Sequence, residues 1–356
     1  MSDRPHLVLV GGFLGAGKTT LILAAARELA RRGLRSAVIL NDQGDLLVDT
    51  QLARAHGLAA AEVTGGCFCC RFSDLMDNAN LLRAHSPDVI FAEPVGSCAD
   101  LNATTLLPIQ AAHLNEYRLA PLTVLVDPAR ARALSRPDAD PDQAFLFSKQ
   151  LQEADLVCIA KTDLYPGSAE IRHANVRQLS ARTGEGVAAW LDEVLSGKLA
   201  AAARVLDIDY ERYARAEAAL VWLNLEVTLE CRVPQSPAMV LGPLFDRIAA
   251  ALTRASISIV HLKASATCDS GWVKAAICGN SEEPSVEGDL DASPSPRHDL
   301  RVNLRTTGDP RAVGEIVSGE AHRLDGQLAD LRLNCFRPSA PKPQHRMTGA
   351  SGPAIR

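Results

Sequence analysis

The sequence predicts an α/β protein with a mostly parallel sheet in residues 1–197 and a smaller α+β domain after them. In the first part, short apolar runs alternate with helical patterns, which is the order that βαβ units produce. In the second part, apolar and polar residues alternate, as in antiparallel strands with one buried face. A chain of 356 residues is long enough to fold as two domains.

The composition is that of an ordinary globular protein, with 47% hydrophobic and 22% charged residues. A net charge of -5, without a run of Lys and Arg, argues against a nucleic-acid partner. No apolar stretch reaches the roughly 18 residues of a membrane span, and the N-terminus lacks a signal-peptide cleavage site. We therefore expect a cytoplasmic protein with no nucleic-acid and no membrane partner. Its nine cysteines suit metal binding or reactivity better than disulfides.

The elements of the first domain follow from short patterns in the chain. Five apolar runs, each bounded by turn or polar residues, predict buried strands at residues 6–10, 35–40, 88–91, 122–126 and 156–160. Helical patterns predict an Ala-, Leu- and Arg-rich helix at 18–32 and a closing helix at 187–195. Ligands of such sheets bind at the carboxyl ends of the strands.

Residues 198–218 are predicted to be a linker or helical connection into a second domain at 219–337. Its segments follow a β-α-β-β-(β)-α-β order, which is typical of a ferredoxin-like domain. The predicted strands are 219–230, 257–262, 272–277, 300–304 and 331–336, and the predicted helices are 239–254 and 310–324. The polar, proline-bearing stretch 280–297 predicts a mobile loop, and the Pro-, Gly- and Ser-rich stretch 338–356 predicts a disordered tail.

The stretch GFLGAGKT at residues 12–19 fits the phosphate-binding motif G-x-x-x-x-G-K-[ST] in full, between a predicted strand and a predicted helix. Glycines let backbone N–H groups face phosphate oxygens, and the helix N-terminus adds a favourable dipole. We expect Lys18 to reach the β- and γ-phosphates and Thr19 to ligate Mg²⁺. The motif predicts a P-loop NTPase domain whose phosphate site comprises Gly12, Gly15, Ala16, Gly17, Lys18, Thr19 and Thr20.

Two further strand ends are predicted to face the phosphates. The strand at 88–91 leads to Glu93, a second ligand on the Mg²⁺ side, and Gly96 follows where a turn that senses the γ-phosphate needs backbone freedom. Residues 41–45, Asn-Asp-Gln-Gly-Asp, predict a switch segment that brings Asp42 near the metal, with a plain turn as the alternative. Lys18, Asp42 and Glu93 are therefore the catalytic candidates.

The segment Ala160-Lys161-Thr162-Asp163 follows a predicted strand, where guanine-binding proteins usually present Asn-Lys-x-Asp. Asp163 is expected to accept hydrogen bonds from the guanine edge, and the stem of Lys161 to pack on the base. Ala160 stands in the place of the Asn and cannot make its amide contacts. Downstream, Ser180 and Ala181 match a loop that backs guanine, so the order of motifs favours GTP over ATP.

The stretch GGCFCC at residues 65–70 places three thiols behind two glycines. Three thiolates at C-x-C-C spacing can converge on a soft or borderline cation such as Zn²⁺ or Cu(I). A closed zinc site takes four ligands, so Cys67, Cys69 and Cys70 leave one position open, which suits transfer or sensing. A redox dithiol and core packing are the alternatives. Cys98 is predicted mainly to be a small buried residue, and a fourth ligand is the lesser alternative.

These motifs, in this order, resemble the CobW/HypB/UreG family of P-loop GTPases, and its CobW-type branch most. The resemblance spans residues 6–197 and rests on the P-loop, Asn41-Asp42-Gln43-Gly44, GGCFCC, the E-x-x-G from Glu93 to Gly96, QLQEADLVCIAKTDL and SARTGEGVAAWL. This sequence departs from the family pattern at Asp42, where Glu is usual, at Ala160, and in having no His-rich stretch.

The resemblance implies a slow GTPase that delivers Zn²⁺, Co²⁺ or another transition metal to a client protein. Carried over, Cys67, Cys69 and Cys70 become the metal ligands, and GTP and Mg²⁺ the other cofactors, with zinc favoured as the transition metal. The expected partners are GTP or GDP and a client metalloprotein, and a homodimer is left open. Cobalamin synthesis, nitrile hydratase activation and zinc allocation all fit the resemblance. A nucleotide-regulated metal sensor or zinc buffer without significant turnover is the main alternative, ahead of a small-molecule kinase and a redox switch.

Overall fold

The computed structural model describes residues 4–43, 50, 53–54, 56–167, 171–280 and 282–348. Two compact units can be separated. The first contains the described residues up to Ala216 and those from Ala340 onward. The second contains the described residues of Glu217–Ser339. Two residues of the predicted switch segment, Gly44 and Asp45, lie outside the described residues, as does the tail beyond residue 348.

The first unit is built on a parallel sheet in the order β3-β2-β4-β1-β6-β7-β8, with β5 also paired to β1. Its strands are β1 (His6–Gly12), β2 (Ser36–Asn41), β3 (Ala59–Val63), β4 (Val89–Glu93), β5 (Arg118–Leu119), β6 (Thr123–Val126), β7 (Leu156–Ile159) and β8 (Val176–Gln178). The five predicted strands are confirmed as β1, β2, β4, β6 and β7, because they are the buried apolar runs that a parallel sheet needs. The strands β3, β5 and β8 were not predicted, since they are alanine-rich, very short or exposed.

Helices surround this sheet, and two of them, α1 and α6, match predicted helices. Their bounds are α1 (Lys18–Arg31), α2 (Phe72–Arg83), α3 (Leu107–Ala112), α4 (Pro128–Leu134), α5 (Pro141–Glu153), α6 (Val187–Leu195) and α7 (Tyr210–Ala218). Both α4 and α5 begin with an Asp-Pro pair, in which Asp127 or Asp140 caps the helix and proline takes the first position. That pair is the signal from which these helices could have been predicted.

The second unit is an antiparallel sheet in the order β12-β11-β10-β13-β9-β14. Its elements are β9 (Val221–Gln235), α8 (Pro237–Arg254), β10 (Ile259–Cys268), β11 (Gly271–Ile277), β12 (Ser285–Gly288), β13 (Ser295–Thr306), α9 (Pro310–Ala321) and β14 (Gly326–Phe336). The predicted order of elements is present, with one additional strand, β12, between the two helices. Both helices contribute buried residues to one apolar core with the sheet.

The predicted mobile loop at 280–297 is partly wrong. Ser285–Gly288 pair with β11 as strand β12, and β13 begins at Ser295. Proline content suggested a loop, but Pro296 lies at an irregularity in the pairing of β13 with β9, between Ser295 and Arg297. An interruption of this kind lets a strand accept a residue that has no N–H to donate.

The predicted disordered tail is also partly wrong, because residues 340–348 make specific contacts with distant parts of the chain. The N–H of Gln344 donates to the carbonyl of Cys69 at 2.8 Å, and the N–H of Met347 donates to the carbonyl of Ala103 at 2.9 Å. The guanidinium of Arg346 lies 2.7 Å from the carboxylate of Asp100. Composition misled the prediction here, because these contacts join parts of the chain that are far apart in sequence. No helix in the described ranges is long and apolar enough to cross a membrane.

Candidate nucleotide and metal site

The phosphate loop lies between β1 and α1, as predicted. Gly12 has a φ of 130°, and a Cβ there would lie 2.5 Å from the carbonyl oxygen of Leu125, so only glycine fits. Gly17 caps α1 in a left-handed conformation, with Gly15 and Ala16 in the loop before it and Thr20 in the first turn. Lys18 is buried, and its Nζ donates to the carbonyl of Gly12 at 2.9 Å. The ammonium and the helix N-terminus concentrate positive charge, which suits a polyphosphate.

Hard oxygen donors meet beside this lysine. The hydroxyl of Thr19 donates to Oε1 of Glu93 at 3.2 Å, and the same oxygen lies 4.0 Å from Nζ of Lys18. Glu93 ends β4, which pairs with β1, so the sheet itself brings the carboxylate to the phosphate loop. A hydroxyl and a carboxylate are the protein ligands that Mg²⁺ takes next to phosphates. The donor set therefore fits Mg²⁺.

Gly96 lies against the phosphate loop. A Cβ on Gly96 would lie 2.8 Å from Cδ2 of Leu14 and 3.1 Å from Nζ of Lys18. The buried side chain of Gln150, on α5, donates to the carbonyls of Gly96 and Cys98, at 3.0 and 2.9 Å. The turn after Glu93 is thus held between the lysine of the P-loop and the amide of α5.

The residues predicted to bind the base lie on the loops after β7 and β8, further along the same sheet edge. Asp163 accepts a hydrogen bond from the hydroxyl of Ser180 at 2.6 Å, so these two predicted residues are in contact. Lys161 adopts a φ of 57°, and its Nζ donates to Oδ2 of Asp127 at 2.6 Å. Asp127 was not predicted as a site residue, although its place before a proline at a strand end was a signal. Ala181, next to Ser180, is half-buried.

Ala160 is buried at the end of β7, and its N–H donates to the carbonyl of Val126. Only a methyl group stands where the Asn of the guanine-binding motif would place an amide. The ion pair of Arg182 with Asp163, at 3.4 Å, involves an arginine side chain that is 75% exposed. Such a pair is weak, so it leaves Asp163 able to exchange this partner for the edge of a base.

The three cysteines predicted as metal ligands converge on one point. The loop after β3 makes a tight turn, in which the N–H groups of Cys70 and Arg71 both donate to the carbonyl of Cys67, at 3.0 Å. The Sγ–Sγ distances are 2.8 Å for Cys67–Cys69, 3.2 Å for Cys67–Cys70 and 3.7 Å for Cys69–Cys70. Cys67 and Cys69 are buried and Cys70 is half-buried. Soft sulfur donors in this arrangement fit Zn²⁺ or a similar ion.

The pKa values of the three thiols differ because the thiols share hydrogen bonds. Hydrogen bonds with the thiols of Cys69, Cys70 and Cys98 hold the pKa of Cys67 well below its usual value of 9.0. Cys69 and Cys70 each share a hydrogen bond with Cys67, and this bond together with burial raises their pKa values. The pKa of Cys69 lies well above 9.0, and that of Cys70 is raised to about 11. A metal ion must therefore displace thiol protons when it binds.

Asn41 joins the cysteine loop to the sheet edge. Its Nδ2 donates to the carbonyls of Val63 and Gly66, at 2.8 and 2.7 Å, and its Oδ1 accepts from the N–H of Phe68 at 2.9 Å. Asn41 ends β2, and the predicted residue Asp42 follows it, with its N–H donating to the carbonyl of Val63. The sequence predicts a switch segment here, with Asp42 as the candidate side chain. The side chain that holds the loop belongs to the residue before it.

The fold and the site together define a P-loop nucleotide-binding protein with a thiol cluster beside the edge of its sheet. The family model for the nucleotide-binding domain of CobW/HypB/UreG matches residues 6–187, and the chain belongs to this family.

The chain is similar to curated relatives over about half of its length. It is 30% identical over 183 residues to the zinc chaperone YjiA of Escherichia coli (strain K12), a match that covers 49% of this chain and 55% of YjiA. It is 30% identical over 218 residues to the zinc chaperone CobW of Sinorhizobium sp, covering 51% of this chain and 60% of that protein. Among solved structures, HypB from Helicobacter pylori in complex with nickel aligns with a TM-score of 0.42 and 16% identity, covering 55% of this chain and 88% of HypB.

Proposed function

We propose that this protein is a GTP-hydrolysing metallochaperone. It binds Zn²⁺, or a similar transition metal, at Cys67, Cys69 and Cys70, and it delivers the ion to a client protein under the control of GTP. The observation that carries the proposal is the position of Asn41, which ends a strand at the nucleotide edge and makes two hydrogen bonds to the cysteine loop, at Gly66 and Phe68, and a third to Val63 at the end of β3. The names of the relatives YjiA and CobW, both zinc chaperones, support the choice of metal.

Lys18 binds the β- and γ-phosphates, and the backbone of residues 12–17 surrounds them. Thr19 and Glu93 hold Mg²⁺, which neutralises the charge that develops on the phosphates. Gly96 allows its segment to approach the γ-phosphate, because a side chain there would meet Leu14 and Lys18. In this proposal Asp42 orients the attacking water, a role that needs positioning rather than strong activation. We expect slow intrinsic turnover for this reason.

Asp163 and Lys161 give the site its preference for guanine. The Asp163 carboxylate accepts from two donors on the guanine edge that adenine lacks, and Ser180 holds this carboxylate in place. The stem of Lys161 lies along the base while its ammonium stays paired with Asp127. Ala160 removes one amide from the usual set, so Asp163 carries more of the selectivity here.

Zinc is the cargo of the thiol cluster. Two of its sulfurs are buried, while Cys70 is half-buried, so a client thiol or imidazole approaches through Cys70. Ordering of the segment after Asn41 by bound GTP reshapes the cysteine loop, and hydrolysis relaxes it. Because such coupling is reciprocal, zinc must change the affinity for GTP by the same factor that GTP changes the affinity for zinc.

A titration of the reduced protein with Co²⁺ and Zn²⁺, with and without GTP and Mg²⁺, tests this proposal. We expect thiolate-to-cobalt charge-transfer absorption that is absent from a Cys67/Cys69/Cys70→Ser variant and that shifts when GTP is added. A Lys18→Ala variant is the matched control, because it should bind Co²⁺ and lose the response to GTP. Equal metal binding by the serine variant, or a coupling factor of one, would defeat the proposal. Metal binding with no GTP turnover, even with a client present, would favour a sensor or buffer.

A further inference from the structure

A fourth cysteine lies against the thiol cluster, on a different segment of the chain. Cys98 is 2% exposed, and its thiol shares a hydrogen bond with the thiol of Cys67. The sulfurs of Cys67, Cys69 and Cys70 all lie within 4.8 Å of one another, whereas Cys98 lies outside this group and reaches it through its hydrogen bond to Cys67. The cysteine loop follows β3, whereas Cys98 follows β4. Two separate strand ends therefore direct thiols to one place.

The position of Cys98 is fixed by its backbone. Its N–H donates to the carbonyl of Val95 at 3.0 Å, which closes a turn after Glu93. Gln150 donates to its carbonyl and to that of Gly96, so the two residues are held together as one short unit. Gly96 packs against Lys18 at the phosphate end of this unit. Only Ser97 separates the residue at the phosphate loop from the residue at the thiol cluster.

We propose that Cys98 is the fourth thiolate ligand of the metal that the cluster binds, completing a four-sulfur site. This inference rests on the proposed function and adds a ligand to it. Zinc bound by cysteines takes four tetrahedral ligands, and sulfurs about 2.3 Å from the ion lie roughly 3.8 Å apart. The Sγ–Sγ distances of Cys67 to Cys69 and to Cys70, 2.8 and 3.2 Å, are shorter than that, so metal binding moves these sulfurs apart, and Cys98 must move toward the ion to complete the set. Each thiol that ligates Zn²⁺ releases its proton to water.

The same arrangement gives a direct connection between nucleotide and metal. The segment from Glu93 to Cys98 holds a candidate Mg²⁺ ligand at one end and a candidate zinc ligand at the other. A shift of Gly96 toward a γ-phosphate moves Cys98 with it, because Gln150 holds both carbonyls. Four-sulfur coordination then belongs to the GTP-bound state and three-sulfur coordination to the state after hydrolysis. The ion is held tightly while GTP is bound and becomes available to a client once GTP is hydrolysed.

The test compares Cys98→Ala with Cys158→Ala, in the reduced full-length protein. Cys158 is a matched control, because it is also buried in the first unit but lies within β7. X-ray absorption of the zinc-loaded proteins with a non-hydrolysable GTP analogue bound should count four sulfurs for the parent and the control, and three for Cys98→Ala. Zinc affinity, measured by competition with a chromophoric chelator, should fall by about tenfold or more, since even groups that only orient a ligand are worth about 10- to 100-fold. The effect of a non-hydrolysable GTP analogue on that affinity should shrink as well.

Circular dichroism and retained GTP binding show whether Cys98→Ala is folded, and Cys98→Ser provides a second variant if it is not. Unchanged sulfur count and zinc affinity in a folded variant would overturn the role of Cys98. If the Cys67/Cys69/Cys70→Ser variant is meanwhile empty of metal, the metallochaperone proposal survives that result. If the serine variant binds zinc as the parent does, the proposed function itself fails.

Discussion

The side chain of Asn41 is buried and makes two hydrogen bonds to the cysteine loop, at Gly66 and Phe68, and a third to Val63 at the end of β3. No ionic group is needed for this role, since an amide alone can both donate and accept. The residue is therefore easily overlooked beside the charged Asp42. Because Asn41 is the last residue of β2, its hydrogen bonds tie the conformation of the cysteine loop to the position of that strand end.

Replacement of Asn41 by Ala should weaken zinc binding about 10- to 100-fold, the usual effect of losing a group that positions metal ligands. An Asn41→Asp variant keeps the acceptor for Phe68 but loses both donors. Its zinc affinity should therefore lie between those of the parent and Asn41→Ala. Calorimetry or chelator competition measures the change. Asn175→Ala is the control, because Asn175 makes its hydrogen bond to Asp155, away from the thiols. If all three variants bound zinc as tightly as the parent, Asn41 would have no role in positioning the metal ligands.

Asp163 offers a second prediction at the scale of one residue. Asp163→Asn should weaken GTP binding by about a hundredfold, because two hydrogen bonds to a charged acceptor are lost or weakened. The amide can instead donate to xanthine, which has a carbonyl oxygen where guanine has an amino group, so the variant should gain affinity for XTP. Asp163→Ala should lose GTP without gaining XTP. Fluorescent nucleotide competition gives all three affinities, and an Asp163→Asn variant that still prefers GTP would contradict the assignment.

Residues 340–348, the last described segment, lie against the cysteine loop and the start of α2. The N–H of Lys342 donates to Sγ of Cys70 at 3.1 Å, Gln344 bonds to Cys69 and Ser73, and the ring of His345 meets Phe72 edge-on at 4.9 Å. This segment covers the half-buried side of the thiol cluster. Access to a metal ion at the cluster would therefore depend on a part of the chain with few apolar residues of its own.

Arg346→Ala should loosen this segment, because its guanidinium bonds to both Asp100 and the carbonyl of Leu206. We expect a chelator to remove zinc several-fold faster from the variant, while the sulfur count at the metal stays the same. Stopped-flow absorbance of the chelator gives the rate. Arg311→Ala, which removes an exposed ion pair with Glu315 in the second unit, is the control. Equal rates in the two variants would show that the segment does not limit access.

Helix α5 carries a buried carboxyl group at its C-terminal end. Burial raises the pKa of Glu153 well above its ordinary value of 4.5, so the folded state favours the protonated acid. The protonated Glu153 contributes to the stability of the folded protein. This contribution is fully present below the pKa that Glu153 has in the unfolded chain, and it is lost as pH rises through the higher pKa of the folded state. Glu153→Gln mimics the protonated acid, so it should leave stability unchanged near pH 4.5 and increase it relative to the parent at pH 8.

Thermal unfolding from pH 4.5 to pH 8 measures this effect, with exposed Glu185→Gln as the control. The difference between parent and Glu153→Gln should grow steadily with pH. A difference that is constant across the range would show that Glu153 keeps its ordinary pKa in the folded protein.

At the scale of the whole molecule, the sequence by itself determined the kind of fold and most of the candidate residues. Buried parallel strands need continuous apolar runs, and β1, β2, β4, β6 and β7 were visible for that reason. The P-loop and the C-x-C-C stretch are local motifs, whose spacing alone states what chemistry they suit. Short or exposed elements such as β5 and β8 have no such pattern, because their pairing depends on neighbouring strands.

Only the tertiary structure decided how these motifs meet. The contacts of Asn41 with Gly66, of Gln150 with Gly96 and Cys98, and of Lys342 with Cys70 join residues that are far apart in the chain. No local pattern encodes such pairs, because the hydrogen bonds form only after the sheet has set the order of its strands. The sequence therefore determined which thiols and oxygens the protein has, and the strand order determined that Cys98 and Asn41 lie at the cluster.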